Sequence, residues 1–198
     1  MYKNNEQIKA RNRVSKYGEV FTNDREVRAM CDLVECECER IDSRFLEPAC
    51  GNGNFLVEIL RRKLITVGRL YGEDIGEYRL HMIEAVTSIY GVDIQADNVE
   101  ESRQRLIAVC CEHFIGSYGL EPSEGLLKAL RCVLKRNIIC GNTLTGLAAN
   151  GAPLVFSEWQ LTDDGMFERR DFLFSDILEN KDSSIHKKAK IYDWRLAA

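Results

Sequence analysis

The chain has 198 residues, 45% of them hydrophobic and 29% charged, with a formal net charge of −4. That make-up describes a soluble globular protein of one domain or slightly more, and the acidic balance argues against holding nucleic acid by bulk electrostatics. No apolar run approaches membrane-spanning length and the first residues have no signal-peptide core, so a cytoplasmic protein with no membrane partner is expected.

Eight cysteines in such a setting are reduced thiols. Cys36-Glu-Cys38 and Cys110-Cys111 lack the paired spacing of a zinc site, and no metal is expected. Basic residues gather at 61–63, at Arg169-Arg170, and at Lys187, Lys188, Lys190 and Arg195. The first group reads as a solvated face; contact with phosphates would need the other two or a partner subunit.

Residues 1–15 read as a polar arm or frayed helix. Asn23 is a good N-cap with Glu26 three residues on, and the helix after it has Val27, Met30, Cys31, Val34 and Cys38 at helical spacing. Residues 44–46 then predict a strand, Gly51-Asn52-Gly53 a tight turn, and Asn54 the start of a helix ending before Gly68. Such a junction leaves N–H groups free at a helix N-terminus and lets a ligand approach the main chain.

The turn lacks the Lys and Ser/Thr of a phosphate loop and is shorter than a dinucleotide fingerprint. Glu47, where the strand ends, is an acceptor placed to hold an ammonium group. A ligand carrying both a positive charge and a carboxylate fits best, and S-adenosylmethionine (SAM) is one.

A second helix is predicted within 69–88, followed by a buried strand ending at Asp93. An acid at that strand end suits a ribose diol, since one carboxylate accepts from both hydroxyls. Helices are predicted at 97–114 and 126–134, and a third strand at 137–142 runs into an Asn142 loop. Residues 153–160 give a fourth strand, and 165–174 the second arm of a hairpin turned at 162–165.

Glu47-Pro48-Ala49-Cys50-Gly51-Asn52-Gly53-Asn54-Phe55 resembles motif I of the class I amino-methyltransferases, especially the adenine-N6 DNA methyltransferases of restriction-modification systems. Gly18-Glu19-Val20-Phe21-Thr22 is similar to their motif X, placed before motif I as in the gamma arrangement, with Asn23 where Pro is usual. Tyr90-Gly91-Val92-Asp93-Ile94 resembles motif II, and Cys140-Gly141-Asn142 motif III. The resemblance implies a Rossmann-like α/β core that binds SAM. Phe21 and Thr22 would fold over its methionine end, and Glu47, Ala49, Gly51, Gly53, Asn54 and Phe55 would line its loop. Asp93 would take the ribose, Ile94 would pack on the adenine, and Asn142 would bond the adenine amino group.

The resemblance fails at the catalytic motif. No (Asp/Asn)-Pro-Pro-(Tyr/Phe) occurs, and the only prolines are Pro48, Pro122 and Pro153. In its place the fourth strand offers Glu158 to hold an amine and Trp159 to stack on a flipped base, or else an alternating strand with no catalytic role.

The expected organisation is an arm at 1–15, a SAM-binding domain at 16–178 with a sheet reduced at its C-terminal end, and a polar basic tail at 179–198. The function implied is a DNA adenine methyltransferase or a subunit of one. The alternatives are a non-catalytic SAM-binding subunit and a protein or RNA amine methyltransferase. DNA would be recognised through a specificity subunit or other partner, and a homodimer would cover the exposed sheet edge.

Overall fold

The computed structural model describes residues 8–179, and the backbone of a strand at 184–192. Three helices open the chain: α1 (Arg11–Tyr17), α2 (Asp24–Asp32) and α3 (Glu35–Glu39). Asn23 caps α2 as expected, its side chain accepting from the Arg25 N–H at 2.9 Å. The continuous helix expected after it is broken at Leu33–Val34, and Met30 and Val34 are exposed. Only Val27, Cys31 and Cys38 of that series turn inward.

The central sheet is built from β1 (Phe45–Glu47), β2 (Ile89–Asp93) and β3 (Ile138–Asn142), parallel and in that spatial order. A two-residue strand, β4 (Leu147–Ala148), adds antiparallel to β3. Between them run α4 (Asn54–Tyr71), α5 (Ile75–Thr87), α6 (Ala96–Tyr118) and α7 (Glu124–Asn137). Helix α4 continues through Gly68 to Tyr71, past its expected end. Its apolar face (Leu56, Leu60, Leu64, Val67) stays buried over about three turns, and that outweighs one glycine, which costs about 1 kcal/mol.

Strand alternation divides the core. Ile89 and Ile138 pack with Leu60, Tyr78, Met82, Leu106, Phe114 and Leu130 of the helices. Tyr90 and Val92, on the opposite face of β2, pack with Leu154, Phe156 and Phe174. Both faces of β2 are therefore dry, as a parallel strand requires.

Lys63 of α4 is fully buried, and its ammonium donates to the carbonyls of Arg40, Ile41 and Ser43 at 2.6–3.1 Å. Burial pushes its pKa down to about 8. This anchor fixes the loop that delivers the chain into β1.

Strands β5 (Val155–Leu161) and β6 (Phe167–Leu173) form the hairpin expected from the sequence. They do not join the parallel sheet. With β7 (Ser184–Tyr192) they make a second, antiparallel sheet in the order β5-β6-β7. The strand expected at 153–160 thus forms, but among the described residues it does not pair with β1, and part of the expected polar tail is strand. Helix α8 (Phe174–Leu178) follows β6 and inserts Phe174 into the smaller cluster. Among the described residues no helix is long and apolar enough to cross a membrane.

Candidate functional site

The carboxyl ends of β1 and β2 meet at the loop joining β1 to α4. The Cys50 N–H donates to the Val92 carbonyl at 2.9 Å, tying the loop to β2. Gly51 and Gly53 have φ of 52° and 87°, a region that favours glycine. A side chain would be tight at Gly51 and would clash at Gly53. A Cβ on Gly51 would stand 3.0 Å from the Phe21 ring, and one on Gly53 2.4 Å from Ser102 Oγ. Gly53 brings no capping side chain to α4, so the helix keeps first-turn N–H groups for a ligand or water.

Asp93 closes the loop from the β2 side. Its Oδ2 accepts from the Gly51 N–H at 3.0 Å, and its Oδ1 from the Gln95 N–H at 2.8 Å and Asn98 Nδ2 at 3.2 Å. Ile94 beside it is 47% exposed, an apolar side chain at the rim. Thr143 Oγ1 donates to the Pro48 carbonyl at 3.2 Å, which joins the loop after β3 to the glycine loop. Asn142 Oδ1 accepts from the Leu144 N–H at 2.9 Å, which fixes the amide and leaves a second lone pair and the NH2. Glu47 accepts from the Ala49 N–H at 3.3 Å, and its charge stays at the loop.

The segment before α2 folds over this loop. Phe21 is buried against Gly51, and the Thr22 carbonyl accepts from Asn54 Nδ2 at 2.8 Å. Arg105 of α6 donates to the Asn52 carbonyl and to Asn54 Oδ1 at 2.8 and 2.7 Å, fixing the turn from the far side. Phe21, Thr22, Gly51, Gly53, Asn54 and Asp93 are thereby linked directly. Glu47, Ala49 and Phe55 follow by chain continuity, and Ile94 and Asn142 sit on the adjoining strand ends.

Several residues of the site lie beyond those the motifs single out. Arg13 forks between Glu19 Oε2 and the Asp97 carboxylate at 2.6 Å each. That contact holds the Asp97 carboxyl down at about 2. Lys9 pairs with Glu101 at 2.5 Å and reaches Asn98 Oδ1 at 2.8 Å. Helix α1 itself buries no residue, and these ion pairs are its main side-chain ties to α6. Glu19 Oε1, Asn52 Oδ1 and Ser102 Oγ are buried without a hydrogen-bond partner among the described residues. No sequence signal marks Lys9 and Arg13, which look like any cations of a polar arm.

Glu158 and Trp159 are not part of this site. β5 is regular through Leu161, so the two side chains point to opposite faces. Trp159 is 8% exposed, and its indole N–H donates to Asn137 Oδ1 at 3.0 Å. Asn137 in turn donates to the carbonyls of Thr87 and Ile89. Those residues mark the amino ends of β2 and β3. Glu158 pairs at 2.6 Å with Arg44, which precedes β1. Both therefore lie at the end of the sheet opposite Asp93, and the expectation that they handle an amine is corrected on that ground.

The chain is 28% identical over 136 residues to a protein of Methanocaldococcus jannaschii described as a type II restriction enzyme and methyltransferase. The match covers 67% of this chain and 11% of that protein, so the chain spans about a tenth of the relative's length. No family profile and no solved structure matches.

Proposed function

We propose that the chain supplies the SAM-binding part of an adenine-N6 DNA methyltransferase of a restriction-modification system, on a Rossmann-like class I core. The observation that carries this reading is the meeting of the Gly51–Gly53 loop, the uncapped start of α4 and the Asp93 carboxylate at the carboxyl ends of β1 and β2. The similarity to a protein described as a restriction enzyme and methyltransferase supports the reaction class.

The donors and acceptors present fit the cofactor. Asp93 Oδ2 accepts a single protein N–H and can also accept from ribose hydroxyls. Glu47 is an acceptor for the ammonium, and the α4 start offers N–H groups to the carboxylate. Exposed Ile94 packs on the adenine, and Asn142 Oδ1, which accepts one N–H from Leu144, takes the adenine amino group on its second lone pair. Phe21 and Thr22 close the methionine end. The bound cofactor would supply the methyl group, and these residues bind and orient it.

The observation favouring a second reading, a SAM-binding subunit without catalysis of its own, is the placement of Trp159 in the core and Glu158 beside Arg44. In either case DNA contact and target recognition fall to a partner. Calorimetric titration with SAM tests the common element. Binding is expected, and Asp93→Ala should weaken it by about 1.5–3 kcal/mol, the worth of a charge-assisted hydrogen bond. No binding at millimolar cofactor would refute the assignment. Mass spectrometry of adenine methylation in DNA from expressing cells then separates the two readings.

A further inference from the structure

The Asn98 side chain is 1% exposed and uses its whole hydrogen-bonding capacity. Its Oδ1 accepts from Lys9 Nζ at 2.8 Å and Arg13 Nη2 at 3.3 Å. Its Nδ2 donates to Glu19 Oε2 at 2.9 Å and Asp93 Oδ1 at 3.2 Å. The amide orientation is dictated by charge. Turned over, the carbonyl would face two carboxylates and the NH2 two cations, breaking four contacts together. Asn98 is therefore a fixed relay between helix α1 and the acid at the end of β2.

This fixity has a consequence for the ligand. A carboxylate free to rotate presents its two oxygens in many directions, and a ribose bond must first order it. Here Asn98 and the Gln95 N–H take Oδ1, while Oδ2 keeps the Gly51 N–H as its one partner among the described residues. The lone pairs that remain are thus preset. Helix α1 and Lys9 just before it reach this setting through the Lys9 ammonium and the Arg13 guanidinium.

We propose that Asn98, held by Lys9 and Arg13, is a positioning residue that presets the Asp93 carboxylate for the ribose hydroxyls of an adenosyl ligand. The proposal rests on the reading of Asp93 as the ribose-binding acid. It gives α1 a part in ligand selection that its lack of buried residues would not suggest.

The test compares S-adenosylhomocysteine with its 2′-deoxy analogue by calorimetry on the full chain. The wild type should prefer the ribose form by about tenfold, the worth of one hydrogen bond to a charged group. Asn98→Ala should cut that preference below threefold by weakening the ribose form. A residue with a merely structural role would weaken both ligands alike and leave the ratio in place, and that result would overturn the proposal.

Because Asn98 is buried, the pair Lys9→Met and Arg13→Met gives an independent arm. Helix α1 buries nothing, so the fold should survive with a thermal midpoint lowered by the loss of the Glu19 and Asp97 pairs, while the ribose preference falls about threefold. An unchanged ratio in this variant overturns the proposal even if Asn98→Ala does not fold. A wild type with no ribose preference at all would instead remove the ribose assignment of Asp93, and the proposal with it.

Discussion

Replacing Gly53 by alanine perturbs the site in two separable ways. At φ of 87° a side chain strains the backbone, at about 1–2 kcal/mol. The new Cβ would also stand 2.4 Å from Ser102 Oγ and 3.1 Å from its Cβ, so the loop and α6 must move apart. Overpacking of this kind costs about 1–3 kcal/mol. Gly53→Ala should therefore destabilise by about 2–5 kcal/mol in urea unfolding. Ser102→Ala removes a buried hydroxyl that has no partner among the described residues and puts a better helix former into α6. On its own it should be neutral or stabilising by up to about 1 kcal/mol. In that background Gly53→Ala should cost little more than its backbone part, giving a coupling of about 1–3 kcal/mol in the double-mutant cycle. Strictly additive effects would show that the loop does not touch α6 as described.

The remaining predictions bear on other parts of the molecule. Burial pushes the Cys50 thiol up to about 12, so the thiolate forms only in strong alkali; at pH 8 iodoacetamide should label exposed Cys36 and leave Cys50 intact, and rapid Cys50 labelling would mean an open loop. Trp159→Phe leaves Asn137 Oδ1 without its indole donor and should cost about 1–3 kcal/mol of stability without changing SAM affinity. Glu158→Ala breaks a partly exposed pair with Arg44 and should cost less than about 1 kcal/mol; a loss of methyl transfer in this variant would return Glu158 to the catalytic site.

What was legible in the sequence was local. Asn23 caps a helix because its own side chain reaches the Arg25 N–H, two residues away. Gly51 and Gly53 announce positive φ because only glycine adopts it at low cost, and Asp93 at a strand end falls where ligands are held. Pairing between distant segments was not legible. The alternation of 155–161 predicts a strand, but nothing in those residues says that its neighbour is β6 alone and not β1. The decisive contact, Trp159 to Asn137, spans 22 residues and joins two side chains with no shared motif. Lys63 misled in the same way. In a basic triplet it reads as solvated, yet three carbonyls 20–23 residues upstream take its ammonium into the core.

The position of β1 bears most directly on function. In an open parallel sheet the ligand crevice forms where strand order reverses, between two strands whose connections run to opposite sides. β1 carries the glycine loop, yet among the described residues its one neighbour is β2, so the crevice has a single wall. The other flank of β1 faces a cavity of about 350 Å3 lined by Phe45, Leu46, Tyr90, Phe156 and Ile177. The β5–β6 hairpin approaches this flank without hydrogen-bonding to β1; the Tyr90 hydroxyl holds it through the Ser157 carbonyl at 2.9 Å, and Arg44 through Glu158. The wall that is present would be the one to take a nucleoside, because Asp93, Ile94 and the glycine loop all stand on it. An amine to be methylated would have to be held from the other side, where the flank of β1 is mostly apolar and the carboxylates of Glu158 and Asp176 border the cavity. Cofactor binding and amine handling would thus rest on different sides of β1, and a loss of one need not entail a loss of the other.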